Sequence, residues 1–406
     1  MTGKHWMLAL LIAAGGACDN ENNEALNVST PPLSGKVSQQ NLVSDQPGAA
    51  VGDATLVNAW GLAFNPAGVA WVSANGSGIS EVYSAAGAHV IRSVTIPGAA
   101  GMTSAPTGQV FNSNAQLFMG DAFIFVTEDG VISGWQQASG SSATVRVDRS
   151  GAGAVYKGVA LAAGSNGVTM LFAANFHAGT VEVYNSGYQA IATSGGFVDS
   201  QLPAGYAPFN VANVQGALLV TYALQDQDKK DDVSGPGHGF VDLFDGDGNL
   251  HQRLISGGEL NSPWGVALAP PTFDAAPNRL LIGNFGDGAI HTYVFDLYTS
   301  NNATAAGALT DGNGTPIAID GLWALAFPPA AGGFDASHLY FTAGPADESH
   351  GLFGKLVSTT GTAPGMTPTT PTPITPTPTT PGYPQKRAHR QPSTHLRYSA
   401  EGKKFE

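Results

Sequence analysis

The chain has 406 residues, a formal net charge of −13, 53 glycines and one cysteine. The acidic balance excludes nucleic acid as a partner, because gripping phosphates takes a basic footprint. A single cysteine excludes an internal disulfide framework and any multi-cysteine metal site, and a charged share of 12% beside so much glycine points to short strands joined by tight turns.

The chain opens on Lys4 and His5, an apolar run from Trp6 to Ala14 and the small residues Gly15, Gly16 and Ala17. That is the layout of a secretory signal peptide over residues 1–17. The run is too short to span a bilayer, which takes about 20 apolar residues. "GGAC" ends on Cys18 and resembles a lipobox, with Gly15 where leucine is usual. Lipidation of Cys18, giving a membrane anchor, is the expectation; ordinary cleavage after Ala17 is the alternative. Residues 18–36 are polar and Asn-rich and read as a flexible tether.

From residue 37 to 358 the chain repeats itself. Six short apolar strands are entered through an aromatic residue or a proline: "NAWGLAF", "SAPTGQVFN", "VYKGVAL", "YAPFNVAN", "NSPWGVAL" and "DGLWALAF". Their starts lie about 45 to 60 residues apart. Each is followed by an apolar run such as "AFIFVTED" or "RLLIGNF", then by a glycine and a period-2 strand such as "GTVEVYN" or "GFVDLFD". A fourth, more polar stretch such as "LHQRLISGG" completes the unit. Four antiparallel strands at this period predict propeller blades, since one such sheet cannot bury both faces and a ring of them can. The fold class expected is all-β, a six-bladed β-propeller. The sixth repeat lacks a fourth strand, and "VSQQNLVSD" at 37–45 is the candidate to supply it and close the ring.

Residues 359–385 are a Thr/Pro-rich linker, extended and without a core. Residues 386–406 form a basic tail with six Lys/Arg against two Asp/Glu. The tail reads as disordered, with attraction to an anionic surface as its functional alternative.

The stretches "NLVSDQPG", "TEDGVISGW", "NFHAGTVEVY", "GPGHGFVDLFDGDGNL", "LNSPWGVALAP" and "YFTAGPADESHGLFG" resemble an uncharacterised family of exported bacterial proteins, some of which carry a PEP-CTERM-type sorting tail. The resemblance covers roughly residues 40–357. It implies a secreted six-bladed propeller with no established biochemical activity. This chain departs from the family at its ends, where it has no such sorting tail.

In a propeller, the lead-in to each innermost strand and the loop joining second to third strands share one face. The lead-ins here carry Asn58, Asn261 and Asp320. The loops carry Asn75, Glu128, Asp129, Asn175, His177, Asn284, Asp287, Glu348 and His350, and the longest loop, 224–240, adds His238. Asn, Asp and Gly before a strand are ordinary turn formers, so two readings stand for this set. As an oxygen-rich ring it suits Ca²⁺, which takes 6 to 8 oxygen ligands and could polarise an ester or lactone carbonyl. As a polar rim it suits a small-molecule, glycan or protein ligand. The histidines are general-base or ligand candidates, or bond a nearby loop carbonyl. "FDGDGN" at 244–249 starts like a Ca²⁺ loop, but the twelfth position falls on Ser256 instead of a glutamate. No G-x-S-x-G, H-E-x-x-H or Walker A pattern occurs. Trp60, Trp264 and Trp323 sit at equivalent blade positions and read as packing between adjacent blades.

The expectation is therefore an exported, lipid-anchored binding or scaffold module at the cell envelope, monomeric, and more a binder than an enzyme. The alternative is a Ca²⁺-dependent hydrolase or lactonase at the channel mouth.

Overall fold

Twenty-five short strands gather into six antiparallel sheets in a computed structural model that describes residues 35–297 and 302–359. The expected signal peptide, the tether up to residue 34, Cys18, the Thr/Pro linker and the basic tail lie outside the described residues. Blade one runs Ala59–Phe64, Ala70–Ala74, Ile79–Tyr83 and Val94–Thr95. Blade two runs Pro106–Phe111, Phe123–Thr127, Val131–Trp135 and Thr144–Asp148. Blade three runs Tyr156–Ala163, Thr169–Asn175, Thr180–Tyr184 and Ala190–Ile191. Blade four runs Tyr206–Val214, Ala217–Leu224, Phe240–Phe244 and Leu250–Ser256. Blade five runs Pro263–Leu268, Arg279–Asn284, Ile290–Asp296 and Asn302–Ala308.

Blade six takes three strands from the end of the propeller, Leu322–Ala326, Leu339–Ala343 and Leu352–Ser358. Its fourth is Val37–Ser44, paired antiparallel with Leu352–Ser358 from Val37 opposite Ser358 to Ser44 opposite Leu352. This is the closing strand expected from the sequence. Val51–Gly52 adds a short parallel fifth strand outside it.

The packing explains why the repeats need each other. Each gap between neighbouring blades holds its own hydrophobic cluster. Between blades one and two it contains Trp71, Val82, Phe123 and Phe125; between six and one it contains Val72, Tyr83, Tyr340 and Phe353. Equivalent clusters fill the other four gaps. A further cluster lies on the axis, where Trp60, Phe176, Phe209, Trp264 and Trp323 meet. Trp60 and Trp323 stack at 3.5 Å and Trp264 meets both edge-on. These tryptophans do pack between blades, but their meeting place is the central channel, which they plug.

The innermost strands approach so closely that two glycines are required. A Cβ at Gly61 would lie 2.3 Å from the Thr107 carbonyl oxygen, and one at Gly108 would lie 2.9 Å from Gly158. Polar side chains then stitch the inner strands together. Gln109 donates to the Gly61 carbonyl at 2.9 Å and Asn210 to the Trp264 carbonyl at 2.8 Å. Below the tryptophan plug the channel opens into a cavity of about 220 Å³ lined in part by Gln109, Asn210 and Asn213. All three amides are hydrogen-bonded to protein.

Candidate functional site

Asn58 stands at the top of the plug. Its backbone is left-handed, with φ of +47°, a conformation asparagine tolerates better than most residues. Its N–H donates to the His350 carbonyl and its carbonyl accepts from Asn75, each at 3.0 Å. The amide is oriented by the Trp323 indole, which donates to Asn58 Oδ1 at 3.0 Å. That leaves Asn58 Nδ2 to donate to Glu348 Oε2 at 2.5 Å and to Asn75 Oδ1 at 3.3 Å. Asn75 in turn donates to Glu128 Oε2 at 3.2 Å.

The chain of bonds ends on a cation. Lys157 Nζ lies 2.5 Å from Glu128 Oε1 and 3.1 Å from Asp231 Oδ1. Its side chain is 2% exposed. The ammonium also sits over the Trp60 ring, 5.1 Å from the centroid, a cation–π contact in a desolvated place. Burial opposes its charge, but Glu128 and Asp231 outweigh that and hold the lysine above its ordinary value. Glu128 responds the other way: burial pushes it up, and Lys157, helped by Asn75 and Lys230, more than reverses this, so its carboxyl lies below the usual range.

Glu348 has no such partner. Burial, followed by the charge of Glu128, pushes it up to about 7. It is presented by three successive left-handed residues, Ala346, Asp347 and Glu348. Asp320 anchors this turn by accepting from the Ala346 N–H at 2.8 Å. Gly344 is needed beside it, since a Cβ there would lie 2.1 Å from Asn58 Oδ1.

Of the residues singled out from the sequence, the structure joins Asn58, Asn75, Glu128 and Glu348 in one network, with Asp320 supporting it. The others have separate partners. Asp129 accepts from the Ala105 N–H at 2.9 Å. Asn175 donates to Glu182 at 2.9 Å, inside blade three. Asn261, Asn284 and Asp287 form their own group on blade five, both amides donating to the aspartate at 3.3 and 3.1 Å. His238 Nδ1 lies 2.8 Å from the Val233 carbonyl oxygen, and His350 Nδ1 lies 2.7 Å from Asp45 Oδ2. His177 lies against the Gly153 turn. Asp245 accepts from the N–H groups of Asp247 and Asn249, so "FDGDGN" is a strand-joining turn.

Sequence reasoning passed over Lys157 and Asp231. The signal for Lys157 was available: it is the one charged residue in the apolar stretch "VYKGVAL". A lysine there must be buried, and a buried ammonium needs carboxylates.

This donor set does not fit a Ca²⁺ ion. Asn58 Oδ1 is taken by an indole, Asn75 Oδ1 by Asn58 and Glu128 Oε1 by an ammonium. Six to eight oxygens are needed, and the Lys157 ammonium already holds the cation position between Glu128 and Asp231. What the mouth does present is an internal ion pair under a polar rim, with one carboxyl poised near neutrality.

No family model matches the chain. It is 29% identical over 323 residues to the uncharacterised protein R648 of Acanthamoeba polyphaga mimivirus, covering 76% of each chain. It is 28% identical over 345 residues to the uncharacterised protein L690 of the same virus, covering 81% of this chain and 86% of the relative. These two relatives are viral, whereas the motifs resemble an exported bacterial family. A structural genomics protein of unknown function from Bacteroides thetaiotaomicron superposes with a TM-score of 0.51 at 11% identity, over 79% of this chain and 76% of its own. The virginiamycin B lyase of Staphylococcus aureus superposes with a TM-score of 0.46 at 11% identity, over 80% and 99%. A gluconolactonase of Xanthomonas campestris does so with 0.37 at 15% identity, over 59% and 84%. What the chain shares with the Bacteroides protein is the fold alone.

Proposed function

We propose that the protein is an exported propeller of the bacterial type its motifs resemble, anchored by lipid at Cys18, and that it acts as a monomeric binding module at the cell envelope. The carrying observation is how the mouth is wired. Lys157 is enclosed by Glu128 and Asp231, and the neighbouring amides bond one another. Such a network makes a rigid floor. Carboxylates outnumber the ammonium in it, and Asp231 is 60% exposed. The ligand it favours is therefore a polar one bearing an amine or another cation.

The test is a thermal-shift panel of polyamines, amino sugars and neutral oligosaccharides against the wild type and an Asp231→Asn/Glu348→Gln double variant. A shift by cationic probes that the double variant loses supports the reading. A shift by neutral sugars alone, unchanged in the variant, rejects it. The anchor is tested by intact mass of membrane-extracted protein beside Cys18→Ser; an unmodified cysteine in a freely soluble protein rejects it.

A second reading, a hydrolase or lactonase, is favoured by one observation: Glu348, near neutral pKa, beside the amide of Asn58. A carboxyl tuned that way can pass a proton in either direction at neutral pH. Turnover on an ester and lactone panel, lost in Glu348→Gln, would establish it; no turnover on the panel removes it.

A further inference from the structure

Away from the channel, the third strand of blade one carries a buried glutamate, Glu81, whose side chain is fully shielded from solvent. It sits at the third position of its strand, as Glu182 does in blade three and Asp242 in blade four. The other two blades give this carboxylate an arginine. Arg149 approaches Glu182 at 3.6 Å and Arg253 approaches Asp242 at 3.2 Å. Blade two pairs its own buried carboxylate, Asp121, with Arg146 at 2.6 Å. Blade one departs from this rule: no Lys or Arg pairs with Glu81 among the described residues, although a second carboxylate, Asp53, lies beside it as Asp199 does beside Asp242 in blade four. The group facing both is His89, with Nε2 2.9 Å from Asp53 Oδ2 and Nδ1 3.3 Å from Glu81 Oε2.

We propose that Asp53, Glu81 and His89 bind one divalent ion of the Zn²⁺ class, at the seam where the ring closes. One ligand atom from each residue can be chosen so that all three lie within 4.8 Å of one another. Among the described residues this is the group of His, Asp and Glu that comes together in that way. Bonds of about 2.0 to 2.2 Å place tetrahedral donors roughly 3.4 Å apart, so a small rotation of the surface imidazole completes the set. Two carboxylate oxygens and one imidazole nitrogen suit Zn²⁺ better than Ca²⁺, which takes oxygen throughout. The His89 side chain is 45% exposed, which leaves the fourth position to water and gives the ion a way in.

The carboxylates are already oriented, as ligands need to be. Ser93 donates to both oxygens of Glu81 at 2.9 Å. The Thr55 hydroxyl reaches Glu81 Oε1 at 2.7 Å and Asp53 Oδ1 at 2.6 Å. Tyr83 donates to Asp53 Oδ2 at 2.7 Å. The position gives the ion a structural role as well. Asp53 donates its N–H to Ser44, the last residue of the closing strand, at 2.9 Å. An ion held by Asp53 and Glu81 would tie the segment leaving that strand to blade one.

The experiment is calorimetric titration of the chelator-treated full chain with ZnCl₂, with thermal unfolding at each zinc level. The expected result is one site whose occupancy raises Tm. In His89→Ala its affinity falls at least tenfold and the Tm rise disappears. Circular dichroism checks that the variant folds, and His89→Gln replaces it if it does not. Absence of a binding isotherm at 100 µM Zn²⁺ overturns the proposal. So does equal affinity in the wild type and both His89 variants, which would assign the zinc to other histidines.

Discussion

Glu128 and Glu81 are both buried carboxylates in the same propeller, and the fold treats them in opposite ways. Glu128, at the channel mouth, meets the ammonium of Lys157, a permanent charge sealed from solvent. Glu81, at the seam between blades six and one, meets the imidazole of His89 on the surface. The first arrangement is closed: both partners are internal, and each holds the other in its charged form. The second is open, because histidine carries a charge only when protonated and its ring can swing aside. A closed pair fixes geometry. An open one leaves room for something from outside.

The largest effect that separates the two regions is expected from Lys157→Met. It leaves the buried Glu128 carboxylate without its counter-charge, and losing one partner of a buried pair costs about 3–5 kcal/mol. Urea unfolding at pH 7.5 measures this, and adding Glu128→Gln should recover part of the loss. A change below about 1 kcal/mol would show that the pair is not closed.

Glu348→Gln should act next, and with the opposite sign. The folded-state pKa of Glu348 is raised to about 7, above its ordinary 4.5. A raised carboxyl contributes stability below pH 4.5 that is lost as pH rises through 7. Glutamine imitates the protonated form. The variant should therefore match the wild type at pH 4.5 and exceed it by about 2–3 kcal/mol at pH 8. Parallel stability profiles for the two proteins would contradict this.

Trp323→Phe keeps the ring stacked on Trp60 but removes the donor to Asn58 Oδ1. The cost should be about 1–2 kcal/mol, that of an orphaned buried acceptor. Urea unfolding reads it directly.

The smallest effect belongs to the open region. Metal-free His89→Ala should lie within about 0.5 kcal/mol of the wild type at pH 8, as for a half-exposed side chain. A much larger loss would mean that Glu81 depends on His89 as Glu128 depends on Lys157, and the contrast would fail.

The fold was legible because its signals are local and repeated. Strand period, turn glycines and a missing sixth outer strand can all be read along the chain, and Val37–Ser44 fills the place it was given. The site was legible only in part. Asn58 and Asn75 belong to one blade, so their meeting follows from repeat geometry alone. Lys157, Glu128 and Asp231 come from separate blades, and no periodicity predicts which side chains cross the axis. Asp53 was harder still. It lies in "VGDATL", between the closing strand and the first repeat, and its meeting with Glu81 depends on how the ring closes.

That closure has a mechanical consequence. Val37 sits opposite Ser358, and Thr359 donates its N–H to the Lys36 carbonyl. The two ends of the propeller therefore leave side by side from the same end of an antiparallel pair. A force drawing residues 36 and 359 apart loads those hydrogen bonds one after another, as a zipper is opened, instead of all together in shear. Tension applied between the two ends would therefore open the ring at this seam before it disturbed any other blade.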